Sequence, residues 1–226
     1  YAQLHEAAQA SLAASTRVIV QVGHCSQAVG ATQVAEALQV ELSGHSSVDL
    51  VIAGCDGACF AAPQVIVTTR SNNIQRYSQV SLDDVPALAA TLTRGDAAQS
   101  PPFVTGGGGD LDSFFAAQTR LLLTRCGYID PTSINEYIAL GGYRGLNAAL
   151  SRSPEEVIQT VLDAGLLGRG GAYFPAARKW QAARAANGSP RYLVVNAEEG
   201  EPGLFKDRHI MEGDPHLLLE GMLIAA

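Results

Sequence analysis

Positive charge is scarce in this sequence. Lys and Arg together number 15 against 22 Asp and Glu, a net charge of −7. No basic field exists to draw in nucleic acid or an anionic membrane surface. No uninterrupted apolar run approaches the ~20 residues that cross a bilayer, and the first residues lack the basic region and apolar core of a secretory leader. Nucleic-acid binding, direct membrane insertion and export are therefore not expected, and a cytoplasmic setting is. Cysteine is also sparse, at four residues. Two of them are spaced C-x3-C, a usage that in a chain this long suits cluster ligands or free thiols better than a disulfide framework. A starting methionine is missing too: the chain opens on Tyr1 and closes on Ala226 within an apolar helical pattern, which reads as a fragment of a longer protein.

What is present is 47% hydrophobic composition over 226 residues, enough for one or two packed domains. Short β-branched runs at 18–22 and 48–52 flank a helical pattern through Val34, Ala37, Leu38 and Leu42, which predicts a β-α-β unit. Further runs at 65–67 and, more weakly, 73–77 precede a helix predicted over 81–92, with Asp83 and Asp84 favouring its first turn. That order predicts a thioredoxin-like layer of sheet and helices over 1–93. Residues 94–109, with Pro101, Pro102 and a run of glycines from Gly106, have the composition of a linker. Beyond it, over 110–226, Ser133 with Glu136 has capping-box spacing and Ser153 precedes Pro154, both helix starts. A helix at 155–164, a glycine loop at 168–171, a helix at 175–186, a buried strand at 192–195 and an apolar helix at 217–226 behind Asp214 and Pro215 complete an α/β pattern.

In the first half, Cys25 follows the first predicted strand, and Cys55 and Cys59 follow the second, so a layered fold brings all three to one edge. Thiolates are ligands that iron takes, and 2Fe-2S clusters ordinarily use four. The run Gly54-Cys55-Asp56-Gly57-Ala58-Cys59, continuing to Pro63, closely resembles the second ligand pair of thioredoxin-like 2Fe-2S ferredoxins. Where that family has the first cysteine of the other pair, this chain has Val20, with His24 beside Cys25 as the candidate fourth ligand. The alternative is a domain that has lost its cluster and keeps its cysteines as small buried hydrophobes. His45, in a polar loop, reads as a surface residue and Cys126 as a packing residue.

In the second half, Gly168-Arg169-Gly170-Gly171-Ala172-Tyr173-Phe174-Pro175 leads to Lys179-Trp180, and an acidic loop follows with Asn196, Glu198, Glu199, Glu201, Pro202, Gly203, Phe205, Lys206, Asp207 and Arg208. Glycines let the backbone approach phosphates, and a helix start adds N–H donors. Together these stretches closely resemble the flavoprotein subunit of respiratory complex I and its relatives in NAD-reducing hydrogenases and NAD-dependent formate dehydrogenases. The similarity continues through His209, Met211, Asp214, Pro215 and His216. Tyr173, Ala176, Ala177, Ala182 and Glu198 depart from the family's usual residues.

The resemblance implies an α/β fold in which a thioredoxin-like ferredoxin domain precedes the front half of an FMN- and NAD-binding domain. It implies that Gly168, Arg169, Gly170, Gly171 and Lys179 hold the FMN phosphate and ring region, that Asn196, Glu198 and Glu199 bond the ribityl chain, and that Phe174 stacks on adenine. Glu201 would approach NAD(H). Cys25, Cys55 and Cys59 would hold a 2Fe-2S cluster, and a 4Fe-4S cluster belongs to a C-terminal part outside this sequence. Implied partners are NADH and the iron-sulfur or catalytic subunits of a redox complex, with the chain at most peripheral to a membrane. The chemistry needs no acid-base catalyst. The rivals are a non-enzymatic scaffold subunit and an NADPH-preferring diaphorase in which Arg178 or Arg184 meets the 2'-phosphate.

Overall fold

The structure is a computed structural model that describes residues 1–12, 16–69, 74–94 and 111–226. β1 (Thr16–Gln21) lies inside a four-stranded sheet, paired in parallel with β2 (Val48–Ala53) and antiparallel with β3 (Val65–Thr68), which pairs antiparallel with β4 (Ile74–Tyr77). The sheet order is β2-β1-β3-β4. Parallel neighbours need a crossover, and α3 (Ala31–Glu41) supplies it after the single turn of α2 (His24–Gln27).

Strand side chains alternate between faces. Val18 and Val20 point to one face, where Val34 and Leu38 of α3 and Leu88 of α4 (Val85–Arg94) bury them. Ile19 points to the other, with Val51, Ala53 and Ile66, and Tyr128 packs over that cluster. Covering both faces explains why β1 reads as an apolar run rather than as an alternation. A short 3-10 turn at Leu82–Asp84 opens α4, where the Ser81 amide donates to the Asp84 carboxylate at 2.8 Å.

The expected linker over 94–109 falls, apart from Arg94, outside the described residues. After it, α5 (Leu111–Ala116), the loop through Tyr128 and α6 (Ile134–Ala139) lean on the N-terminal layer. α1 (Ala2–Leu12) packs on α6. Gln21 Nε2 donates to the Gly127 carbonyl at 3.2 Å, and Arg120 Nη2 to the Asp56 carbonyl at 3.0 Å. Gly127, at φ +89°, leaves no room for a side chain: a Cβ there would stand 2.6 Å from Gln21 Nε2 and 2.7 Å from Asp56 Cβ. Arg17 of β1 and Glu136 of α6 form an ion pair at 2.8 Å with both side chains largely shielded.

The remaining chain is helical: α7 (Arg144–Leu150), α8 (Pro154–Asp163), α9 (Ala176–Ala185), α10 (Asp207–Gly213) and α11 (Pro215–Ala225). The expected caps operate, with Ser133 accepting from the Glu136 amide at 3.2 Å and Ser153 from the Glu156 amide at 3.3 Å. Glu220 of α11 accepts from the Tyr137 hydroxyl at 2.6 Å and from the Tyr143 and Leu146 amides at 2.8 and 3.0 Å, fastening α11 to α6 and the start of α7. The buried strand expected at 192–195 is not formed. Tyr192 and Val194 are 82% and 84% exposed, and no described segment pairs with them. Without a partner ladder, water is the better host for those backbone groups. Among the described residues, no helix is long and apolar enough to cross a membrane.

Candidate functional site

Parallel pairing brings the C-terminal ends of β1 and β2 to one edge, and the cysteines sit there. Ser26 shapes the turn after β1: it accepts from the Gly23 amide at 2.8 Å and donates to the Gln21 carbonyl at 3.1 Å. That turn carries His24 and Cys25. Gly23 lies against the end of β2, where a Cβ on it would stand 3.1 Å from Cys55 Cβ. Cys55 and Cys59 follow β2 with their sulfurs 3.8 Å apart. Cys25, Cys55 and Cys59 therefore line one small cavity together with His24.

Cys25 is exposed and the other two are half-buried, so the alternative of small buried hydrophobes does not describe them. Burial, followed by the neighbouring Cys55 charge, pushes the Cys59 thiol up to about 12, and burial raises Cys55 as well. Among the described residues, no group of three or more His, Cys, Asp and Glu side chains stands ready to hold a metal ion. Val20, where the resemblance implies a missing cysteine, is fully buried in the sheet core.

The far wall of this cavity comes from the second half of the chain: Phe205, Arg208, His209 and Glu212, on or just before α10. In the sequence, Phe205 and Arg208 belong to the acidic loop and His209 to the stretch of family similarity. Nothing there marks α10 as a helix except the i, i+3 spacing of His209 and Glu212, which puts them on one helix face. His24 Nδ1 meets Glu212 Oε1 at 3.0 Å. Cys126 is buried, as expected of a packing residue, and its thiol donates to the His209 carbonyl at 3.4 Å.

The glycine loop is a hairpin closed by the Leu167–Pro175 bridge, with the Gly168 amide donating to the Phe174 carbonyl at 2.8 Å. Gly168 faces that carbonyl closely, a Cβ there standing 3.3 Å from it, whereas Gly170 and Gly171 border open space, with nothing within 4 Å. Arg169 is exposed beside them. Gly171 needs its φ of +99°, and Tyr173 holds a left-handed φ of +51° where the family's usual glycine would be relaxed. Pro175 precedes α9, which carries Lys179 so that its ammonium lies 5.9 Å from the Phe174 ring centroid. Two of the expected cofactor residues are thus side by side at the mouth of the loop.

The acidic loop divides. Asn196 Oδ1 accepts from the Glu198 amide at 2.9 Å, a local turn, and the exposed Glu198 folds its carboxylate over Gly200. Glu201 is exposed. Glu199 is turned inward to α10: Oε1 accepts from the amides of Lys206, Asp207 and Arg208 at 2.8, 2.6 and 3.0 Å, and Oε2 accepts from Arg208 Nε at 2.6 Å. It caps the helix from seven residues upstream. The Arg208 guanidinium, helped by those amides, holds the Glu199 carboxyl down at about 2.

Residues 161–226, which carry the glycine loop, the acidic loop and α10, match the family described as the Nuo51 FMN-binding domain. The match falls on the stretches that carry the sequence resemblance to that flavoprotein subunit. Among the chain's relatives is the NADP-reducing hydrogenase subunit HndC of Solidesulfovibrio fructosivorans, 49% identical over 107 residues that make up 47% of this chain and 22% of that protein. Another is an NADH-quinone oxidoreductase subunit of Aquifex aeolicus, 51% identical over 107 residues, 47% of this chain and 25% of the relative. The chain thus spans about a quarter of the length of the curated relatives it matches. A solved NAD+-reducing [NiFe]-hydrogenase in the air-oxidized state aligns over all of this chain and 43% of its own, at 23% identity and a TM-score of 0.37.

Proposed function

We propose that this chain is part of an NADH-oxidising flavoprotein subunit that binds FMN on its second half and passes electrons to iron-sulfur partners. The observation that carries the reading is the FMN-binding family match over 161–226, falling on a glycine loop that borders open space with a lysine at its mouth. A phosphate suits this loop because no side chain fills it and the Lys179 ammonium offers a mobile counter-charge. Gly168, Arg169, Gly170 and Gly171 would line the phosphate, Lys179 would sit beside the isoalloxazine, and Asn196 and Glu198 would meet the ribityl hydroxyls. Glu199 would act one step back by fixing the loop to α10. Phe174 and Glu201 would meet the adenine and the nicotinamide nucleotide. FMN, when bound, supplies the conversion of a hydride into single electrons. The chain's own work is to hold and orient the two nucleotides.

The first half would hold a 2Fe-2S cluster on Cys25, Cys55 and Cys59. The donor chemistry supports this, since three thiols line one cavity at a sheet edge, with the Cys25 and Cys55 thiols both against that of Cys59. The sheet order β2-β1-β3-β4 supports reading this half as a thioredoxin-like layer. Partner subunits of a larger redox complex would take the electrons, with the whole peripheral to a membrane.

Tyr173 and Val20 favour a second reading, a scaffold subunit without flavin or cluster. Cofactor extraction from the full-length protein, purified from cells supplied with riboflavin, separates the two. Stoichiometric FMN is expected; FAD, or no flavin at all, would overturn the first reading. Arg184, one of the two candidates for an NADPH phosphate, is taken by Glu155 at 2.6 Å, which favours NADH.

A further inference from the structure

We propose that Glu212 positions His24 as the fourth ligand of the cysteine site, so that the second half of the chain orients the last ligand of the metal group held by the N-terminal layer. The proposal rests on the reading that this site holds a 2Fe-2S cluster. A fourth donor must come from somewhere other than residue 20, because the Val20 side chain is fully buried among Val34, Leu38 and Val65 and carries no donor atom. Two imidazoles line the cavity beside the three cysteines, His24 and His209.

Only the His24 ring has an orienting partner among the described residues. Its Nδ1 lies 3.0 Å from Glu212 Oε1. An ionised carboxylate can only accept, so Nδ1 carries the hydrogen, and the lone pair of the neutral ring is left on Nε2. This is the arrangement that ligating histidines use, one nitrogen held by a carboxylate and the other free for the metal. His209 is bonded through its main-chain carbonyl, which accepts from Cys126, and among the described residues no hydrogen bond fixes its ring. Glu212 itself is committed to His24, and imidazole is the known substitute for thiolate on cluster iron.

Glu212 reaches His24 because α10 abuts the cysteine edge. Gly213, the next residue, lies against Gly54, where a Cβ would stand 2.6 Å from the Gly213 Cα. Docking of the second half and completion of the ligand set are then one event: α10 seats, and His24 gains its tautomer.

The test uses full-length protein isolated without oxygen. Iron and acid-labile sulfide per chain, iron retention against a chelator, and the electron paramagnetic resonance spectrum of the reduced protein are measured for the wild type and for His24→Ala, His24→Cys, His209→Ala, Glu212→Ala and Glu212→Gln. Wild type is expected to show a 2Fe-2S spectrum with g values shifted from those of a four-cysteine cluster. Glu212→Ala is expected to weaken iron retention about 10- to 100-fold, the usual loss when a ligating histidine loses its partner. Glu212→Gln, which can still accept from Nδ1–H, should recover most of it. His24→Cys should bind iron firmly with four-cysteine g values and become indifferent to Glu212→Ala, an outcome a merely structural Glu212 would not produce. A cluster unmoved by His24→Ala, or lost in His209→Ala instead, overturns the assignment while leaving the cluster reading intact. Iron and sulfide absent from wild type and His24→Cys alike overturn both.

Discussion

Gly54 and Gly213 meet backbone to backbone: a Cβ on Gly54 would stand 2.6 Å from the Gly213 Cα and 3.0 Å from its amide nitrogen. One belongs to the turn that delivers Cys55, the other ends α10. This contact lets the helix that follows the acidic loop form the wall of a cavity whose other side is made of cysteines, and Gly213 in turn abuts Cys126, at 3.1 Å from a Cβ to Sγ.

Replacing Gly54 with Ala should therefore push α10 outward, since the obstructing atoms are backbone and cannot swing away. Overpacking of this kind costs about 1–3 kcal/mol. The thermal midpoint should fall, and Cys126, buried behind Gly213, should become reactive to a maleimide. A variant with wild-type stability and an unreactive Cys126 would show that the contact yields without moving the helix.

The Glu199 cap makes the seating of α10 sensitive to acid. Its folded carboxyl titrates near 2, below the ordinary 4.5, so its stabilising contribution is complete above 4.5 and is lost as pH falls through that interval toward 2. Glu199→Gln should lower stability at neutral pH and flatten the pH dependence between 4.5 and 2, read from denaturant midpoints across that range. Parallel wild-type and variant curves would show that the bonds to Arg208 and the amides contribute nothing net.

The Arg17–Glu136 pair, at 2.8 Å with side chains 14% and 4% exposed, joins β1 to α6 across the expected domain boundary. Arg17→Leu should cost about 3 kcal/mol, because it strands a buried carboxylate. Arg17→Leu with Glu136→Leu should recover most of the loss. Burial already raises the Glu136 carboxyl against the pull of Arg17, so the single variant should regain stability as pH falls and the stranded group takes up a proton. Additive losses in the double variant would refute the pairing.

Glu201 stands exposed on the acidic loop, with its neighbour Glu199 turned the other way. In the full-length protein, Glu201→Gln should raise KM for NADH about tenfold, the size of one charge-assisted hydrogen bond of about 1.5 kcal/mol, at unchanged FMN content. An unchanged KM returns Glu201 to the solvated surface charges.

Much of this molecule is legible in its residues because the relevant physics is local. Short β-branched apolar runs marked β1, β2 and β3, capping residues marked the starts of α6, α8 and α11, and parallel pairing of β1 with β2 was enough to send Cys25, Cys55 and Cys59 to one edge. Glycines at 168, 170 and 171 marked the loop that the FMN-binding family match then covered. What tertiary structure alone decided are contacts between residues far apart in the chain. The inward turn of Glu199, the reach of Glu212 to His24 and the leaning of α6 on β1 depend on how whole elements settle, and no near-neighbour pattern encodes them. The same reason explains the missing strand. Its apolar composition at 192–195 is a local fact, but a strand exists by virtue of a paired neighbour, and among the described residues none lies beside it.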